Sequence, residues 1–161
     1  MLDAIIATIE LTRQSLLKLV ADLSDAQLTL QPAPKTNHPA WVLGHQLFVD
    51  YNFLKLIGGP ETAVTDEFKK LYGGNSTPLA DAALYQNKQW YLERMHEVRQ
   101  QIYARLKTLT PEQYNAPHPD PNRRQRTPTV LHAILLYGTW HEAYHAGQLS
   151  AWRRVQGLPP V

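Results

Sequence analysis

Cysteine is absent from the 161-residue chain, which excludes disulfides, thiolate metal ligands and a cysteine nucleophile. Any bound metal must therefore sit on nitrogen or oxygen, and a reducing cytoplasm is the expected location. An excess of charge of one sign is lacking too. The 16 Lys and Arg residues against 14 Asp and Glu leave a formal charge of +2, too little to mark nucleic acid or a membrane surface as a partner despite a pI near 8.9. No apolar run approaches the ~18 residues of a membrane helix. The opening Met1-Leu2-Asp3-Ala4-Ile5-Ile6 has no basic stretch, and Glu10 and Arg13 interrupt the apolar residues that follow, so no signal peptide is expected. Internal repeats and sustained heptads are missing as well. What remains is one domain over 1–161, whose 43% hydrophobic and 19% charged residues can build a core.

Helical periodicity fills the chain. Leu2, Ile5, Ile6, Ile9, Leu16, Val20 and Leu23 predict a first amphipathic helix, and Ser24-Asp25-Ala26-Gln27 has capping-box spacing before Pro32 and Pro34 break the pattern. A second helix should start at Pro39, capped by Asn37 or His38, and stop at Gly58-Gly59-Pro60. Leu43, Leu47 and Leu54 fall on its outward side and could meet another helix or a partner chain. The stretch from Gly58 to Pro78, with a possible helical turn at Asp66 to Tyr72, is long for neighbouring antiparallel helices and implies a crossover. A third helix is predicted over about Leu79 to Leu109, with Leu84, Tyr91, Met95, Val98, Ile102, Leu106 and Leu109 inward and His96 turned to solvent beside Arg99. After a proline-rich linker, a fourth begins near Thr127-Pro128. With no convincing strand pattern, the expected fold is an all-α four-helix bundle.

The chemistry is carried by histidine. His141 and His145 are four residues apart, so both rings share one helix face and can reach a single ion. They belong to an apolar stripe of Leu131, Ile134, Leu135, Gly138, Leu149 and Trp152, where an unpartnered imidazole costs about 1–3 kcal/mol. His45 falls on the core side of the second helix with Trp41, Val42, Phe48, Val49, Asn52 and Leu56. In a bundle, metal sites are made by inward side chains of facing helices, which nominates His45, His141 and His145 as ligands. Core histidines held by ordinary hydrogen bonds are the competing explanation. Glu142, about 100° around the helix from His141, is a candidate to orient the ligands, or else a surface acid. Asn52 and Gln148 are weaker candidates for the pocket lining. Arg123-Arg124-Gln125-Arg126 reads as a solvated loop that would meet a substrate carboxylate if the linker folds over the cleft.

These residues resemble the DinB-like family, the DinB/YfiT-like metalloenzymes. The resemblance rests on Gly44-His45-Gln46, on His141 through Leu149, and on Trp152-Arg153-Arg154 with Gly157-Leu158-Pro159-Pro160. It implies an up-down-down-up bundle with a long second-to-third connection. It also implies a divalent ion, nickel or zinc, on His45, His141 and His145, and a homodimer. Some relatives use a small cellular thiol, which would make this chain an S-transferase for a small-molecule substrate: the metal holds the thiolate, and the sulfur is imported.

Three other readings are open. His141-Glu142-Ala143-Tyr144-His145 fits the H-E-x-x-H zinc hydrolase motif with Glu142 as base, but no acid or histidine occurs among the 16 residues after His145. Glu93-Arg94-Met95-His96 and Glu142-Ala143-Tyr144-His145 both match the E-x-x-H of di-iron bundles, yet the second helix has no glutamate. Lastly, a metal that stabilises the native state without turnover is sufficient physically, as a structural or stress-associated module.

Overall fold

A computed structural model describes residues 2–161. The chain is helical: α1 is Leu2–Lys18, α2 Pro39–Leu56, α3 Asp66–Tyr72, α4 Lys88–Lys107, α5 Pro111–Asn115, α6 Val130–Leu135 and α7 His141–Val155. No strand forms among the described residues; Pro117 and Thr129 make an isolated antiparallel bridge. No helix among the described residues is long and apolar enough to cross a membrane.

Helix α2 is the centre. The His38 side chain caps it by accepting from the Trp41 N–H, Pro39 supplies a preset φ at its first position, and Gly58 ends it in the left-handed region at φ +77. Of its 18 residues 13 are buried, because α3, α4, the π segment before α7 and the 3-10 turn at Asp25–Thr29 all pack on it. With only Asn52 and Lys55 exposed, little of this helix is left as an outward face. Leu43, Leu47 and Leu54 accordingly lie fully inside this chain and are not available to a partner.

Two boundaries differ from the periodicity. The third long helix begins at Lys88, nine residues after Leu79, because Asn87 caps it by accepting from the Trp90 N–H at 2.9 Å. Asp81 caps a separate 3-10 turn at Ala82–Leu84, which leaves Leu84 exposed instead of inward. The fourth helix is interrupted by a π turn over Leu136–Trp140. The wider turn shifts the side-chain register, so Leu135 is exposed rather than part of the inner stripe. Gly138 lies in that turn where α1 crosses closest: a Cβ there would stand 2.6 Å from Ile9 Cδ1.

The interior also holds charge. Arg13 of α1, Asp50 of α2, Arg99 of α4 and Glu142 of α7 form a closed ring of alternating sign. Arg13 Nη2 reaches Asp50 Oδ2 at 2.5 Å and Arg13 Nε reaches Glu142 Oε1 at 2.6 Å. Arg99 Nη2 reaches Asp50 Oδ1 at 2.9 Å and Glu142 Oε2 at 3.2 Å. All four residues are buried. Buried charges survive only when paired, and removing one leaves its partners uncompensated. Arg99→Met is expected to lower the unfolding free energy by about 3–5 kcal/mol, measured by urea denaturation.

Candidate metal centre

His45 comes from the middle of α2, and His141 and His145 from the first two turns of α7. One ring nitrogen of each lies within 4.8 Å of the others. The structure therefore brings together the three histidines nominated from the sequence.

Each imidazole has its other nitrogen committed. His45 Nδ1 donates to the Tyr72 carbonyl at 2.6 Å, His141 Nδ1 to Gln46 Oε1 at 3.3 Å, and His145 Nδ1 to Gln148 Oε1 at 2.8 Å. A carbonyl oxygen can only accept, so these bonds place the ring proton on Nδ1 and leave Nε2 with its lone pair. His45 Nε2 and His141 Nε2 then face each other at 3.3 Å, lone pair to lone pair. Nitrogens about 2.0–2.1 Å from a tetrahedral ion stand about 3.3–3.4 Å apart, so a shared cation resolves the repulsion and fits the spacing. The donor set suits zinc or nickel, since neutral imidazole is a good ligand for both.

Further contacts hold the rings in place. The Trp41 indole stacks on His45, with centroids 4.6 Å apart and planes 8° off parallel, and its Nε1 donates to Ser76 Oγ at 2.9 Å. Asn37 Nδ2 donates to the same Gln148 Oε1 that His145 uses, at 2.9 Å. Gly44 lets α3 approach: a Cβ there would overlap the Tyr72 ring. That tyrosine is anchored by a 2.6 Å hydrogen bond between its hydroxyl and that of Tyr91. The connection between α2 and α4 thus delivers the carbonyl that orients His45.

The same enclosure keeps the rings neutral. Burial, reinforced by His145 and His45, holds His141 down at about 3. Burial, with His45, holds His145 down at about 4. Burial also lowers His45, against the Tyr72 carbonyl, which favours its charged form.

The profile of the DinB superfamily matches residues 8–149, a span that takes in all three histidines. The chain belongs to the DinB superfamily. The fold of this DinB superfamily protein is similar to that of a conserved protein from Enterococcus faecalis solved by crystallography, with a TM-score of 0.70, 15% identity and 95% of each chain covered. No curated protein matches it in sequence.

The remaining candidates of this DinB superfamily chain are placed differently. Glu142 turns away from the histidines, and its oxygens lie on Arg13 and Arg99. That leaves no free base for an H-E-x-x-H reading. His96 is exposed, which removes the di-iron ligand set. Gln148 acts on His145 rather than lining the pocket. Asn52 and Arg123 line a cleft of about 890 Å³ together with His45, so part of the proline-rich linker lies along the cleft beside that histidine. Gln46 and Tyr72 carry roles that periodicity could not assign, the adjacency of Gln46 to His45 being the available signal, whereas Trp41 already shared the face of His45.

Two outcomes are expected. Gln148→Leu keeps the fold but weakens divalent-metal affinity by about 10–100-fold, read by competition with a chromophoric chelator. The unfolded chain's histidines take up protons below about pH 6.5 while the folded ones at about 3 and 4 do not. More protons on the unfolded chain mean stability falls with falling pH. The metal-free protein should therefore lose melting temperature steadily from pH 7 to pH 4.5, measured by thermal denaturation.

Proposed function

We propose that this chain is a metal-dependent enzyme that holds one nickel or zinc ion on His45, His141 and His145 and joins a low-molecular-weight thiol through its sulfur to a small-molecule electrophile, the thiol's S–H proton passing to the electrophile's displaced group or to the adduct. The observation that carries the reading is the commitment of all three Nδ1 atoms to oxygen acceptors, which turns three Nε2 lone pairs to one place beside an open cleft. When bound, the ion supplies Lewis acidity that lowers the pKa of a thiol or water brought to it.

The chain's own residues do the rest. The Tyr72 carbonyl, Gln46 and Gln148 fix ring orientation before any ligand arrives, so no reorganisation is needed when charge develops. Phe48, Phe53 and Leu56 give the cleft an apolar wall that excludes water from the reacting pair. With no cysteine in the sequence, the sulfur must come from the cosubstrate. The four long segments are proposed to run up, down, down and up, as the resemblance implies. A cytoplasmic homodimer is also proposed, for which the exposed Leu11, Trp140, Tyr144 and Val155 offer apolar contact surface.

The test is twofold. Elemental analysis of protein purified without a metal-affinity tag should find about one divalent ion per chain, and its absence after replenishment would overturn the reading. A panel of thiols with electrophilic acceptors should show turnover in the wild type and loss of at least 100-fold in His141→Ala. Full metal occupancy with no turnover, and a large fall in melting temperature in His141→Ala, would replace it with the non-catalytic stabilising role.

A further inference from the structure

The cleft beside His45 is uneven in chemistry. One wall is apolar, built by Phe48, Val49, Phe53 and Leu56 of α2, and the linker supplies a polar wall containing His118, Asp120, Arg123 and Tyr137 at the start of the π turn, with Lys69 of α3 also lining the space. Its volume of about 890 Å³ is that of a small-molecule site, far too small for a folded partner.

The polar wall has donors to spare. Arg123 Nη1 donates to the Tyr137 hydroxyl at 2.8 Å, and a hydroxyl that accepts this way keeps its own proton to give. Asp120 is the one carboxylate lining the cleft, and much of its capacity is used. Oδ1 accepts the Asn122 N–H at 3.0 Å, and Oδ2 lies 3.5 Å from Arg123 Nε, leaving the Nη2 end of the guanidinium for another acceptor. Lys55 also lines the cleft but is paired with Glu61 at 2.5 Å. His118 is 2% exposed and its Nε2 has no hydrogen-bond partner, an unmet polar group of a kind that interiors seldom keep. The loop geometry is itself fixed, since Arg124 Nε donates to the His118 carbonyl at 2.8 Å and the Asp120 N–H donates to His118 Nδ1 at 3.1 Å.

We infer that this cleft binds an amphipathic anion: an apolar, aromatic-sized body against Phe48, Phe53 and Leu56, and a carboxylate or sulfonate head group held by Arg123 and Tyr137 with Lys69 adding charge. The Nη2 end of the guanidinium donates to one head-group oxygen, and the Tyr137 hydroxyl donates a second hydrogen bond. The inference rests on the reading of the site as a small-molecule enzyme and names its substrate class.

A matched pair of fluorescent probes tests it. 8-Anilinonaphthalene-1-sulfonate carries the head group, and N-phenyl-1-naphthylamine has the same aromatic body without it. Both are titrated into metal-loaded and metal-free wild type, Arg123→Gln, Lys69→Gln and the double variant, each first shown to melt like wild type. The sulfonate is expected to bind at least tenfold tighter than the uncharged probe. Arg123→Gln should weaken the sulfonate about tenfold, the double variant further, and leave the uncharged probe unchanged. Equal affinities for the two probes in wild type, or a sulfonate affinity unmoved in the double variant, would overturn the inference. Metal content of the same samples keeps the two ideas apart: head-group discrimination without metal binding sinks the enzyme reading alone, and metal binding without discrimination sinks the substrate class alone.

Discussion

Four charges on four helical segments hold the interior together. Arg13, Asp50, Arg99 and Glu142 cancel one another in a closed ring, and each is buried too deeply to be satisfied by solvent. Such a ring adds little net stability compared with a well-packed apolar core, because desolvation offsets most of the attraction. It does penalise every arrangement that separates the partners. The consequence reaches the metal centre, since Asp50 is five residues past His45 on α2 and Glu142 immediately follows His141 on α7. Two rods that must bring Asp50 and Glu142 to shared arginines are thereby constrained to bring their histidines face to face.

Neighbouring residues on α7 divide the labour. His141 looks to the metal centre and Glu142 to the ion ring, a division that follows from about 100° of rotation per residue. Burial pushes the Glu142 carboxyl above its ordinary value, while Arg13 and Arg99 pull it back down. The π turn just before His141 widens the helix where Gly138 meets Ile9. Through that turn, contact between α1 and the fourth helical rod influences the angular position of both histidines.

Much of this was legible in residues. Four-residue spacing placed His141 and His145 on one face, and the core periodicity of α2 added His45. Proline at 39 and the glycines at 58 and 59 marked the ends of α2. Where periodicity erred, a local or tertiary term had overridden it. Asn87 restarts a helix whose apolar pattern runs on from earlier residues, and the packing of α3, α4 and the 3-10 turn on α2 covered the face assumed outward for Leu43, Leu47 and Leu54. Arg13 figured in the sequence only as a break in the first apolar pattern and Arg99 only as a neighbour of His96, so the buried ring went unseen. Yet Ile9, Arg13 and Leu16, like Met95, Arg99 and Ile102, keep the stripe's spacing, and a charge at such a step signals a buried pair. The Tyr72 carbonyl was beyond reach, since a backbone acceptor carries no residue identity.

The three acceptors behind the histidines are chemically unequal. One is a main-chain oxygen, which no side-chain replacement can alter in charge. The others are the amides of Gln46 and Gln148, each a single base change from glutamate. A carboxylate at either position would make its imidazole a stronger electron donor while the ligands stayed the same. Two codons outside the three-histidine cluster therefore act as a dial, through which descendants of this chain could retune the donor strength of any ion site built there.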